Sequence, residues 1–322
     1  LHAFGIFAAA ALLAALPAAR HAAGQQQEPP GQAPRIRVGV DLVSLFATVR
    51  DGKRLVPDLK QEEFRVFEDG QEQKVEFFSR ETALPINVGI LMDTSGSMDG
   101  VLEAEKDAAS RFLRRVLQSK DLAFVINFDV DIDLLSDVSQ DPDHLERAIR
   151  RARINAPGSP VNQGPFPTIQ SGGTKFYDAV YLACTEKLAL EVGRKAIVVL
   201  TDAVDTGSRL KLEDAVEAAQ RSDTVVHVIH ISDPRFYGFG SGGAGAAKKL
   251  ADETGGRAIF INSEKDLEKA FDQISEELRS QYTLGYYPTN KDRDGKFRKL
   301  KIEATRKGLK VLTRKGYYAL AK

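Results

Sequence analysis

The chain has one cysteine, Cys184, among 322 residues. No intramolecular disulfide can staple it, so stability has to come from a packed core. Cys184 falls on the apolar helical face Phe176-Tyr177-x-x-Val180-Tyr181-x-x-Cys184 and reads as a buried thiol, not a nucleophile. Histidine is also scarce. His2, His21 and His144 have no zinc spacing, and His227 and His230 point to opposite faces of a strand. Charge of one sign is missing: 45 basic residues offset 45 acidic ones. That excludes the basic imbalance of a nucleic-acid-binding chain. The basic tail at 296–315 is interleaved with Leu300, Ile302, Leu309, Val311 and Leu312, the pattern of a strand pair with one wet face. No Gly-x-Ser-x-Gly elbow, Gly-Lys-Ser/Thr phosphate loop or Cys/His pair occurs. Catalysis has no candidate residues, and no small-molecule substrate is expected.

Long apolar runs are confined to the start of the chain. Residues 4–16 are rich in Ala and Leu but shorter than the ~20 residues of a spanning helix. The small residues Pro17-Ala18-Ala19 and His21-Ala22-Ala23 follow. Residues 1–23 therefore read as a secretory signal peptide, with an uncleaved anchor as the competing reading. Residues 24–35 are Gln/Pro-rich and read as a linker. A secreted or periplasmic protein is expected, with a membrane contact only if the segment stays attached.

Periodicity organises the rest. Strand patterns at 38–49, 63–68 and 74–78 are separated by the turns Arg50-Asp51-Gly52 and Asp69-Gly70. Strand and helix patterns then alternate: strands at 86–92, 122–128, 132–135, 196–200, 224–231 and 258–261; helices at 101–117, 142–153, 174–190, 212–221, 245–254 and 267–279. Further strands are expected at 282–287, 297–305 and 310–318. The fold class is α/β: residues 83–280 form a sandwich with a mostly parallel central sheet and helices on both faces. Residues 36–82 and 281–322 have too few strands apiece to close a core. They are expected to pair into one small β-sandwich, with the α/β domain inserted between its halves.

Three separated segments carry the chemistry. Asp93-Thr94-Ser95-Gly96-Ser97 ends the apolar run 86–92. Ser171-Gly172-Gly173-Thr174 precedes a helix, and Asp202 ends the apolar run 196–200 after Thr201. Adjacent parallel strands with reversed crossovers open a crevice at their carboxyl ends, where these oxygens converge. Hard oxygen donors suit Mg²⁺, Mn²⁺ or Ca²⁺. The set resembles the metal-ion-dependent adhesion site of von Willebrand factor type A (VWA) domains over about residues 84–280. The whole architecture also resembles VWA-related proteins of acidobacteria. The resemblance implies a Rossmann-like VWA sandwich and these roles. Ser95 and Ser97 ligate Mg²⁺ directly. Thr174 ligates it directly in one loop state and through water in another. Asp93 and Asp202 act mostly through water. It also implies an open position for an Asp or Glu carboxylate of a protein partner. Ala203 departs from the pattern, because the family usually has Gly after that Asp.

Plainer readings compete. Ser95 and Ser97 could cap a helix near Gly100, and Asp202 the next one. Gly238-Phe239-Gly240-Ser241-Gly242-Gly243 matches a dinucleotide motif, but Asp233-Pro234-Arg235-Phe236-Tyr237 separates it from its strand. It reads as a loop on the metal face, as does 155–173. Asp129-Val130-Asp131-Ile132-Asp133 hints at a calcium loop, yet Leu134 and Gln140 stand where Gly and Glu belong. A solvated hairpin turn is the expectation there. The leading functional expectation is an exported, non-enzymatic binding protein. The alternative is an envelope scaffold in which the metal only stabilises loops.

Overall fold

The computed structural model describes residues 42–80, 84–154, 173–231 and 243–321. The expected signal segment, the linker, the loop at 155–172 and the glycine run at 238–242 lie outside the described residues. Residues Val40–Lys322 cluster as one unit.

Five strands come first: β1 (Val43–Asp51), β2 (Arg54–Leu55), β3 (Phe64–Glu68), β4 (Gln71–Gln73) and β5 (Val75–Ser79). The α/β part follows as β6 (Ile86–Asp93), α1 (Leu102–Val116), β7 (Leu122–Phe128), β8 (Ile132–Ser139), α2 (Pro142–Ile149), α3 (Phe176–Leu182), β9 (Arg194–Thr201), α4 (Leu212–Arg221), β10 (Thr224–Ile231), α5 (Ala244–Thr254), β11 (Ala258–Ile261) and α6 (Glu264–Arg279). The chain closes with β12 (Tyr282–Tyr286), β13 (Phe297–Ala304), β14 (Lys310–Leu312) and β15 (Gly316–Tyr318).

Local chemistry explains these elements. Every residue of β6 is buried, which is why residues 88–92 read as a continuous run without polar residues and not as an alternating pattern. Helix α2 begins where the Asp141 carboxylate accepts the Asp143 N–H at 2.9 Å and Pro142 opens the first turn. Gly243 and Gly255 flank α5, both in the left-handed region that a side chain disfavours.

The central sheet has the order β11-β10-β9-β6-β7-β8. Its pairs are parallel except β7 with β8, the antiparallel edge. One face packs on α1, α2 and α6 through residues such as Phe112, Leu145 and Phe271. The other packs on α3, α4 and α5 through Phe176, Val216 and Leu250. Cys184 is buried there, and burial pushes its thiol up to about 12, so it stays protonated. His227 is buried in β10 and pushed down to about 3, so it is neutral.

Two antiparallel sheets, β14-β1-β12-β5 and β15-β13-β3-β4, enclose a third core that includes Leu45, Val66, Tyr282 and Leu300. β1 pairs with β12, and β3 pairs with β13. Each sheet thus combines strands from before and after the α/β part. The fold class is the expected one, with several differences in detail; among them, the helix expected at 142–153 ends at Ile149. The strand at 132–135 runs on to Ser139. The helix at 174–190 starts at Phe176 and widens to a π-helical turn at Ala183–Leu188. The strand at 310–318 is two, one on each sheet, because the chain between them pairs with the end of α5 through Thr254 and Arg314.

The C-terminal turn of α6 is bolted to β1. Glu277 Oε1 accepts from Arg50 at 2.6 Å and from Arg257 at 2.5 Å, with the Glu277 side chain only 2% exposed. Burial pushes the Glu277 carboxyl up and the Arg50 guanidinium down, so desolvation offsets much of the attraction. Removing only the acid leaves a guanidinium buried without its partner. Glu277→Ala is expected to lower the unfolding free energy by about 3–5 kcal/mol; urea denaturation checks it, and a loss below about 1 kcal/mol would contradict the assignment.

Candidate metal centre

Strand order places the centre. β6 and β9 are parallel neighbours with Met92 beside Leu200, so Asp93 and Thr201 end them side by side. From β6 the chain moves to β7 on one flank, and from β9 to β10 on the other. The crevice opens between their carboxyl ends.

Asp93 is fully buried. Its Oδ1 accepts the Ser95 N–H at 3.0 Å, and its Oδ2 accepts the Thr201 hydroxyl at 2.6 Å. The Thr201 hydroxyl in turn accepts the Ala203 N–H at 2.9 Å. Ser97 Oγ donates to Asp202 Oδ2 at 2.7 Å and lies 3.0 Å from Ser95 Oγ. Asp202 Oδ1 accepts the Val204 N–H at 3.0 Å. Asp93, Ser95, Ser97 and Asp202 thus form one hydrogen-bonded group. Thr174 joins the same loop through its main chain: its N–H donates to Thr206 Oγ1, and its carbonyl accepts from Thr206 and Gly207, all at 3.1 Å. The group reaches solvent at half-buried Gly96 and Ser97, with Asp93 and Asp202 beneath. Ser95 flanks a short 3-10 turn, Gly96–Met98, but its side chain makes no capping bond, so the plain capping reading does not account for it.

Neighbours that sequence reasoning missed hold this group. Thr201 positions Asp93, as above. The Thr94 hydroxyl donates to Asp129 Oδ2 at 2.8 Å and accepts from Asn127 at 3.2 Å, tying the first loop to β7. Asp129 is therefore buried, at 4% exposure, and the expected solvated turn begins with an anchor. Asp205 accepts the Tyr177 N–H at 3.0 Å and so fixes the start of α3 beside Thr174. The most informative omission is Glu105 on α1. It has no exposed surface, and neither carboxylate oxygen has a hydrogen-bond partner. A Glu within the buried stripe of an amphipathic helix is the signal that could have found it.

Electrostatics favours a cation. Burial, then the charge of Asp202, pushes the Asp93 carboxyl up to about 7. Burial, then the charges of Asp93 and Asp202, holds Glu105 well above the usual range. The charges that weigh most on either group are those of other acids. Among the described residues, no three His, Cys, Asp or Glu side chains are grouped to chelate an ion. An ion would therefore rely on the serine and threonine hydroxyls. Two carboxylates, several hydroxyls and an orphaned buried acid fit a hard divalent cation. Ala203, at φ 56°, sits in the left-handed region at a cost of about 1–2 kcal/mol. That strain is the physical reason a glycine is suited to this position.

A family model described as von Willebrand factor type A domain matches residues 88–204, from β6 through Asp202. No curated protein matches. Solved structures with similar folds include the conserved hypothetical protein BatB from Bacteroides thetaiotaomicron. It is 19% identical, with 60% of this chain and 98% of that one aligned at a TM-score of 0.46. The vWF domain of the type V pili tip protein Mfa5 from Porphyromonas gingivalis is 14% identical, covering 60% and 94% at 0.46. Proximal thread matrix protein 1 from the mussel byssus, in a form with a zinc occupied MIDAS motif, is 15% identical, covering 64% and 48% at 0.49. At these identities and scores they carry no argument about function.

Two outcomes follow from the geometry. Asp93 keeps its proton to about pH 7 when folded but only to 3.8 when unfolded. The folded state holds the extra proton between those values, so metal-free stability from this group falls as pH rises from about 4 to about 7. In chelator, the unfolding free energy of wild type minus that of Asp93→Asn should fall on the order of 4 kcal/mol across that window; a flat difference would rule the shift out. Separately, a Cβ on Gly243 would lie 2.3 Å from the Asp202 carbonyl oxygen. Gly243→Ala should displace the Asp202–Ala203 backbone and weaken divalent-cation binding about tenfold or more in calorimetry.

Proposed function

Because the chain carries a von Willebrand factor type A domain, we propose that it is an exported, non-enzymatic binding protein that captures an acidic group of a protein partner through a divalent cation. Asp93, Ser95, Ser97, Thr174 and Asp202 hold that cation, with Mg²⁺ the expected ion and Mn²⁺ or Ca²⁺ compatible with the same donors. The observation that supports this most is the contact of Ser97 with Asp202 above buried Asp93, with Ser97 at the solvent edge.

Each residue has a task. Ser95 and Ser97 offer neutral hydroxyls, so the shell takes up little of the cation's charge. Asp93, fixed by Thr201 and the Ser95 N–H, orients the base of the site. Asp202 and Thr174 bring the facing loop to it. When bound, the ion supplies a concentrated positive charge that an incoming carboxylate can meet. The absence of a general base or nucleophile from the sequence motifs supports a binding role. Export rests on the signal-like character of residues 1–23. Among the described residues, no helix is long and apolar enough to cross a membrane.

Calorimetric titration of Mg²⁺ and Mn²⁺ should show saturable binding that weakens about tenfold or more in Asp93→Ala and in Ser97→Ala. A peptide rich in Asp and Glu should then bind only with the cation present. Cation binding without any peptide binding would favour the loop-stabilising scaffold, and no cation binding at all would sink the reading.

A further inference from the structure

Glu105 is unlike every other acid around the crevice. It lies on α1 three residues after Leu102 and four before Ala109, on the face that packs into the sheet core. It has no exposed surface, and both carboxylate oxygens lack a hydrogen-bond partner. The neighbouring base does not serve it, because Lys106 pairs with Glu103 at 2.7 Å. The charges that act on it are those of Asp93 and Asp202.

Packing alone gives no reason for an acid here. An apolar side chain would fill the same space without burying a polar group. Protonation does not resolve the problem either, since a carboxylic acid also needs an acceptor for its proton and a donor for its carbonyl. What the position lacks is a donor or a positive charge. Orphaned buried groups of this kind mark sites completed by water or an ion. Direct chelation is not the means, because among the described residues no three acid or imidazole side chains are grouped around one point. A carboxylate set back from the donors meets an ion through its bound waters, which are shared with the outer acids.

We propose that Glu105 is a third carboxylate of the cation centre, a positioning residue that accepts hydrogen bonds from the water shell of the ion held by Asp93, Ser95, Ser97, Thr174 and Asp202. This rests on the cation reading above. Glu105 adds to the negative potential that Asp93 and Asp202 set up at the site. Its burial without a partner is then a cost of the metal-free state that cation binding removes.

Two variants separate this from an inert buried acid: Glu105→Gln, which keeps shape, and Glu105→Met, which also removes the polar group. Mg²⁺ and Mn²⁺ affinities would be measured by calorimetry, and thermal unfolding in chelator and in saturating Mg²⁺. The expected result has two parts. Glu105→Met unfolds in chelator at or above the wild-type temperature, and both variants bind the cations about tenfold more weakly. The rise in unfolding temperature on adding Mg²⁺ shrinks in step. Wild-type affinity in both variants would overturn the inference and leave the cation reading standing. So would a drop in metal-free unfolding temperature in both variants, which would make Glu105 a prop of the fold. A wild type that binds neither cation would remove both together.

Discussion

A carboxylate without exposed surface joins the two central strands. Asp93 ends β6, yet its closest partner, the Thr201 hydroxyl at 2.6 Å, ends β9. That bond needs the register that sets Met92 beside Leu200. From Thr201 the constraint passes to the Ala203 N–H, and the following loop turns through the positive φ of Ala203. Gly243, at the head of α5, comes so close to Asp202 and Ala203 that no Cβ fits there. The carbonyl of Thr174 closes the same loop from the other side. Position and charge therefore have one origin. The strands that hold Asp93 dry also raise its affinity for a proton, and an acid held dry near other acids is most readily satisfied by a cation.

The antiparallel sheets are tied to the α/β part by polar contacts as well as by chain connections. Glu277 on α6 meets Arg50 on β1, and Arg314 between β14 and β15 meets Asp223 after α4 at 2.8 Å. Inside the sheets, the Tyr286 and Tyr317 hydroxyls both donate to Glu68 Oε2, at 2.6 and 2.8 Å. The Tyr282 hydroxyl donates to the Val56 carbonyl at 2.7 Å and accepts the Leu59 N–H at 2.9 Å. Each of these tyrosine bonds joins a residue before the α/β part to one after it. They replace the solvent contacts that buried phenols and carboxylates would lose.

How much of this could be read from sequence depended on whether the cause was local. The centres of β6 and β9 are apolar because both faces are covered, and the acids Asp93, at the end of β6, and Asp202, just after β9, are visible as breaks. Ser95 and Ser97 are legible as a pair because their spacing puts both hydroxyls in one short turn. The misses have distant causes. Asp129 looked solvated, but Thr94, 35 residues away, draws it in. Glu105 is the exception, because it stands on the stripe of Leu102, Ala109 and Phe112, where an acid is a visible break in the pattern. Residues 310–318 looked like one strand, because nothing local announces that the end of α5 takes up the middle of the segment.

The pairing of early with late strands also shapes how the chain can reach its native state. Val56 and Tyr282 are 226 positions apart and meet in one core. Neither antiparallel sheet can be completed by local contacts, because β1 waits for β12 and β3 waits for β13. Once the α/β part has formed, it carries the two ends toward each other and shortens the loop that must close. This connectivity favours nucleation in the α/β part, with the flanking sheets completed last. Until then β1, β3 and β5 each keep an open edge that β12 or β13 later covers, a hazard for aggregation that lasts as long as the late strands are missing.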